Sequence, residues 1–143
     1  MKRKELKERR TANTKVFENQ DHSVTAQIYF EPVHYEKEDG AWEDMDNRLT
    51  EFSNEKGKLK IRFKKQAKEK DTISITKDGC RLDWGLEGAF KVKSQSPDEE
   101  TVLYPEVCKD TDLRCRVFGE KVKDDLILKT KAAPEDFTFR YRM

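Results

Sequence analysis

Long apolar runs are missing from this chain. Nothing approaches the roughly 18 consecutive apolar residues of a membrane-spanning helix, so no membrane insertion is expected. Met1 to Arg10 has the basic start of a secretory signal but no apolar stretch behind it, and no signal peptide is read there. Glycine is scarce. The six glycines form no G-x-G-x-x-G or Walker arrangement, which leaves no loop to cradle a nucleotide phosphate. Three cysteines, Cys80, Cys108 and Cys115, make an odd set without C-x-x-C spacing. That argues against a disulfide framework and against a zinc site. A Cys108–Cys115 pair would leave Cys80 free; the simpler expectation is three unpaired packing residues on the apolar sides of strands. An excess of one charge is lacking too. Thirty basic against twenty-nine acidic side chains leave a formal +1, so no nucleic-acid partner is expected.

What the chain does have is charge of both signs and sparse, regular apolar residues. Charged residues are 41% and hydrophobic ones 34%, against about 25% and about 45–50% in ordinary domains. Such a composition invites disorder, but the near-zero net charge and the patterning of the apolar residues oppose it. A length of 143 residues suits one domain. Residues 1–12 read as a polar tail, linker or short solvated helix, and residues 13–143 as a single β domain.

After Asn13 the apolar period becomes two, the signature of strands with one covered face. Val16-Phe17, a polar break at Asn19 to His22, and then Val24, Ala26 and Ile28 alternating with Thr25, Gln27 and Tyr29 predict a hairpin. Val33-His34-Tyr35 resumes the pattern beyond Pro32, as an edge. Glu36 to Gly40 ends in Asp-Gly, a hairpin turn signal. Lys58 to Lys64 alternates cleanly, with Leu59, Ile61 and Phe63 on one side and Lys58, Lys60, Arg62 and Lys64 on the other. Ile73 and Ile75, the turn Asp78-Gly79, and then Cys80, Leu82 and Trp84 predict another hairpin. Ser94 to Glu100 is expected to be a long flexible loop. Thr101 to Tyr104 is a short strand stopped by Pro105. Leu113 to Val117, Val122 to Lys129 and Phe137 to Tyr141 complete the set. Short strands with turn signals roughly every 8–12 residues predict an all-β fold, an antiparallel two-sheet sandwich or related barrel. The expected core is Val24, Ala26, Ile28, Trp42, Leu59, Ile61, Phe63, Ile73, Ile75, Leu82, Trp84, Leu113, Val117, Leu126, Leu128, Phe137 and Phe139.

No arrangement of residues points to catalysis, and no catalytic or metal-binding residue and no cofactor is assigned. No G-x-S-x-G elbow and no calcium-loop signature occurs. With twenty-nine acids, neighbouring carboxylates carry no information about a hydrolase. His34 and Glu36, two apart, would share a strand face and offer two metal ligands; a hydrogen-bonded histidine beside a turn is the plainer account. The residues singled out for ligand binding are Tyr29, His34, Tyr35 and Trp42, because exposed rings can stack on a sugar. Lys56 to Lys70 holds eight basic residues. Its stripe of Lys58, Lys60, Arg62 and Lys64 could track phosphates, but with Phe63 on the opposite side it reads better as a guard against edge-to-edge aggregation.

Two segments also resemble a known family. Asn19, Asp21, Tyr29, Pro32, Val33, His34, Tyr35, Gly40, Trp42, Asp46, Asn47 and Leu49 match the amino-terminal β-rich module of bacterial RHS/YD-repeat and wall-associated surface proteins, with its N-x-D-G turn, its strand ending near Pro and then "HY…DG.W..IDN.L". Tyr104, Pro105, Val107, Asp112, Leu113, Val117, Val122, Lys123, Asp125, Ile127, Leu128 and Lys129 resemble its "YP.V..G.DL.Y.V….VKE.IVL" segment, and Ala133 to Phe139 its "P..F.F" ending. Asp21-His22 replaces the usual Asp-Gly, and Cys108 and Cys115 stand where aromatics are common. The resemblance implies a larger secreted or cell-wall-associated parent protein, extracellular in location, and no activity for this piece; with no catalytic motif in the chain, a non-catalytic structural or interaction module is the expected function. Its partners would be the rest of its own polypeptide and a cell-surface glycan or protein. A carbohydrate-binding module is the alternative, with a hydrolase domain behind it.

Overall fold

The computed structural model describes residues 2–67 and 70–143; Met1, and Lys68 and Glu69 of the basic run, lie outside the described residues. The protein is all-β, and every strand pairing is antiparallel. Strands β1 (Lys4–Glu5), β2 (Thr14–Glu18) and β3 (Val24–Ile28) form a three-stranded sheet in that order. A separate hairpin joins β4 (His34–Glu36) to β5 (Trp42–Asp44). Next come β6 (Asp46–Thr50), β7 (Ser53–Lys56), β8 (Lys60–Phe63), β9 (Ile73–Lys77) and β10 (Cys80–Leu86), and then the meander β11 (Gln95–Asp98), β12 (Thr101–Cys108), β13 (Thr111–Phe118) and β14 (Lys121–Leu128). The last strand, β15 (Phe139–Arg142), returns to pair with β10, giving a six-stranded sheet in the order β15-β10-β9-β8-β7-β6.

The six-stranded sheet and the four-stranded meander enclose one dry interior. Ile61, Phe63, Ile73, Trp84 and Leu86 come from the first, and Val102, Tyr104, Val107, Leu113, Cys115 and Val117 from the second. Alternation explains the choice. In Lys60–Phe63 only Ile61 and Phe63 are buried, and in Thr111–Phe118 every second residue is. Two polar ties cross the interior. The Tyr104 hydroxyl donates to the Lys64 carbonyl at 2.5 Å, and Trp84 Nε1 donates to Asp124 Oδ2 at 2.8 Å. Turn chemistry sets the registers. Asp78 and Gly79 both have positive φ (50° and 78°), as a two-residue type I′ hairpin requires, and they bring Cys80 opposite Lys77.

Several expectations need correction. Val24, Ala26 and Ile28 are exposed, with Ile28 at 77%. Alternation groups residues on one face of a strand but does not choose which face is covered. Lys15, Phe17, Thr25 and Gln27 are half-buried on the other face, and on the face of Ala26 the buried residue is Val16 of β2, directly opposite it. Leu128 is also exposed, because β14 is an edge strand rather than a central one. Cys80 is exposed at its hairpin tip, while Cys115 is buried and Cys108 half-buried; all three thiols are free. Ser94 to Glu100 is not a long loop: β11 pairs with β12 and tolerates Pro97 because it is an edge. Nor does Pro105 end its strand. β12 runs on to Cys108 through an irregularity where Glu106 takes a φ of 50°. Part of residues 2–10, expected as a polar tail or short solvated helix, joins the fold. β1 pairs with β2, and Arg10, 8% exposed, makes a two-pronged contact with Glu5 at 2.7 and 3.0 Å. A short 3-10 turn, Lys7–Arg9, is the only helical piece among the described residues.

Candidate functional site

The β4–β5 hairpin gathers three of the four residues singled out for ligand binding. Its register sets His34 opposite Asp44, Tyr35 opposite Glu43 and Glu36 opposite Trp42. His34 and Trp42 therefore share one face and Tyr35 lies on the other. His34 is buried, 1% exposed. Its Nδ1 lies 2.8 Å from the Thr11 carbonyl, an acceptor, so Nδ1 carries the proton. That leaves Nε2 3.3 Å from Asp44 Oδ1 without a hydrogen bond of good geometry. His34 is thus a brace that ties the hairpin to the segment before β2, and Met45 N–H bonding to the Val33 carbonyl extends the same tie. Around it, Arg10 and Lys15 both reach Asp44, at 3.5 and 3.8 Å, and Arg10 Nη1 donates to the Trp42 carbonyl.

Tyr35 is half-buried and its hydroxyl donates to Glu43 at 3.0 Å. Burial, and then that carboxylate, push its phenol above the ordinary value, while the same hydrogen bond and one from Lys56 hold Glu43 below its own. Tyr29 stands apart, just beyond β3. Its hydroxyl bonds to Gln27 and its amide to the Asn13 carbonyl. Among the described residues no group of three or more His, Cys, Asp or Glu is placed to hold a metal ion, and no helix is long and apolar enough to cross a membrane.

Two further surfaces lie outside the β4–β5 hairpin. The first is the outer side of β3. Within its sheet β3 pairs only with β2, so one backbone edge is free, and its exposed side chains Val24, Ala26 and Ile28 continue into a wholly exposed Phe30. Contiguous exposed apolar side chains mark places where something docks. The alternating pattern was the signal for this face; nothing in it said that the face stays open. The second surface is the basic stripe of β8. It lies in the interior of the six-stranded sheet, between β7 and β9, so the edge-guard reading of Lys60 and Arg62 is overturned.

No family model matches the chain, and no solved structure matches significantly. The chain is similar to the tRNA nuclease WapA of Bacillus subtilis (strain 168), at 28% identity, over 96% of this chain and 7% of that protein. It is similar to the same extent to the tRNA3(Ser)-specific nuclease WapA of Bacillus spizizenii. A wall-associated protein of Geobacillus stearothermophilus is 29% identical, over 87% of this chain and 56% of that one. The chain therefore spans well under two thirds of the length of these curated relatives. It corresponds to a segment of larger wall-associated proteins.

Proposed function

We propose that the chain is a non-catalytic interaction module of a larger bacterial polypeptide of the RHS/YD-repeat, wall-associated kind, working outside the cell. The observation that carries this reading is the asymmetry of the alignments, nearly all of this chain against 7% of the WapA proteins. The reading assigns the nuclease activity in those names to other parts of those proteins. The open edge and apolar face of β3 support it, since a flanking segment of a long polypeptide could add there as a further strand. Residues 13–143 would form the core of the module. The rings of Tyr29, Tyr35 and Trp42, with His34 bracing the hairpin from within, are the residues to examine for a surface glycan.

The test joins two assays on the purified chain: cleavage of total tRNA, with and without added divalent metal, and cosedimentation with washed bacterial cell walls. Intact tRNA and recovery of the chain in the wall pellet are expected. Cleavage of tRNA would overturn the non-catalytic half of the reading. A chain that stays in the supernatant would overturn the wall-partner half.

A further inference from the structure

The outer face of the six-stranded sheet carries cations at its centre. The outward side chains of β8 are Lys60 and Arg62. Register places Thr76 beside Lys60 and Arg81 beside Thr76, one row across three strands. The next row holds Ser53, Arg62, Ser74 and Asp83. Between Ser53, Lys60, Arg62, Ser74, Thr76 and Arg81 lies a groove of about 380 Å³, with the acidic Glu55 also on its lining.

The two rows differ in how their charges are balanced. Asp83, 4% exposed, takes Arg81 at 2.8 Å and Arg142 at 3.1 Å, so both guanidiniums share one acid within the sheet. Lys60 and Arg62 make no ion pair among the described residues. The nearest polar contact of Arg62 is the Ser53 hydroxyl at 3.4 Å. Residues two apart on a strand face lie roughly 7 Å from one another. Two like charges at that spacing, neither paired with an acid, repel in the free protein, and β8 has no open edge for them to protect. What would relieve them is an anion with oxygens to spare. Lysine and arginine can only donate, and the hydroxyls of Ser53 and Thr76 are further donors around the same space, whereas that of Ser74 is held by Asp83 and accepts from Arg81. No aromatic side chain lines the groove, so it offers bases no platform to stack on.

We propose that this groove binds successive phosphate groups of a base-free polyanion, with Lys60 and Arg62 as the charge partners and the Ser53 and Thr76 hydroxyls completing the oxygen contacts. The inference goes beyond the module reading and does not depend on wall association.

The probe is a fluorescently labelled linear polyphosphate, titrated with the whole chain in low salt. A single-stranded DNA of equal charge is titrated in parallel. Lys60→Gln with Arg62→Gln should weaken polyphosphate binding at least tenfold, about 1.4 kcal/mol, and should reduce the slope of log K against log salt by roughly two. Lys131→Gln, an exposed charge outside the groove, should change neither. Both variants alter exposed side chains, and unchanged thermal unfolding verifies that each is folded. No measurable polyphosphate binding, or an equal loss from Lys131→Gln, would overturn the proposal. DNA that binds as tightly as polyphosphate and loses as much on the double substitution would also overturn it, in favour of a nucleic-acid surface.

Discussion

Removing the Tyr104 hydroxyl should destabilise the protein by about 2 kcal/mol. Tyr104 has no exposed surface, and its hydroxyl donates at 2.5 Å to the carbonyl of Lys64, at the end of β8 on the facing sheet. Burial pushes the phenol well above its ordinary value, which keeps it a donor at neutral pH. A net hydrogen bond is worth about 1 kcal/mol, and leaving a buried acceptor without a partner costs about 1–3 kcal/mol. Tyr104→Phe keeps the ring and so opens no large cavity, which leaves these polar effects as the main loss. For a chain of this length each 1 kcal/mol shifts Tm by roughly 2–4 °C, and about 4–8 °C is expected in all. Urea unfolding followed by tryptophan fluorescence gives the free energy directly, with an unchanged m-value showing that both states keep their compactness. Tyr35→Phe is the internal comparison. Its hydroxyl meets the partly exposed Glu43, and the change should stay within about 0.5 kcal/mol. If Tyr104→Phe falls in that same small range, the Lys64 carbonyl is reached by water and the interior is not closed at that point.

Asp124 gives a second test. Its Oδ2 accepts from Trp84, while its buried Oδ1 has no hydrogen-bond partner. Burial raises its carboxyl above the ordinary value, against the lowering effect of Trp84. A carboxyl raised in the folded state favours folding while protonated, so its contribution is present below the ordinary carboxylate range and is lost as pH climbs through the raised value. Asp124→Asn should therefore stabilise the protein by about 1 kcal/mol at pH 7, with the gain shrinking as pH falls through the raised value and largely gone by pH ~4, the ordinary carboxylate range; a constant difference across a pH series of melts would refute this. Leu113→Ala, at a fully buried site, should cost about 2–5 kcal/mol in denaturant titrations. Phe30→Ser and Ile28→Lys, both on the open face of β3, should leave stability within about 0.5 kcal/mol while reducing concentration-dependent association in sedimentation velocity.

The features legible in the sequence were those decided within a few residues. Asp78-Gly79 is a turn because its backbone needs two positive φ values, and Asp-Gly supplies them at little strain. Lys60 to Phe63 declared its two faces by alternation, and Ile61 and Phe63 are the buried pair. What was not legible depended on which elements become neighbours. The Val24-Ala26-Ile28 face has the pattern of a core strand, and only the position of the rest of the fold leaves it uncovered. Ser94 to Glu100 looks like a loop by composition, and β12 makes part of it a strand by offering it a pairing edge. Arg10 is buried because Glu5 receives it two-pronged and the Trp42 carbonyl lies beside it, a long-range arrangement without a periodic signature. In the candidate surfaces the division is the same. The stripe of Lys60 and Arg62 could be read from spacing, whereas its seat between β7 and β9, which removes the edge-guard explanation, could not.

The return of β15 to β10 has a consequence for how the protein comes apart. Everything from β11 to β14 lies between those two neighbours along the chain. Leu86 meets Phe139, and Tyr141 stacks over Trp84 with ring centres 6.1 Å apart. The larger leaf is thus stitched shut by a thread that has already travelled through the smaller one. Both leaves face one shared core, and heating should dissolve them at one temperature.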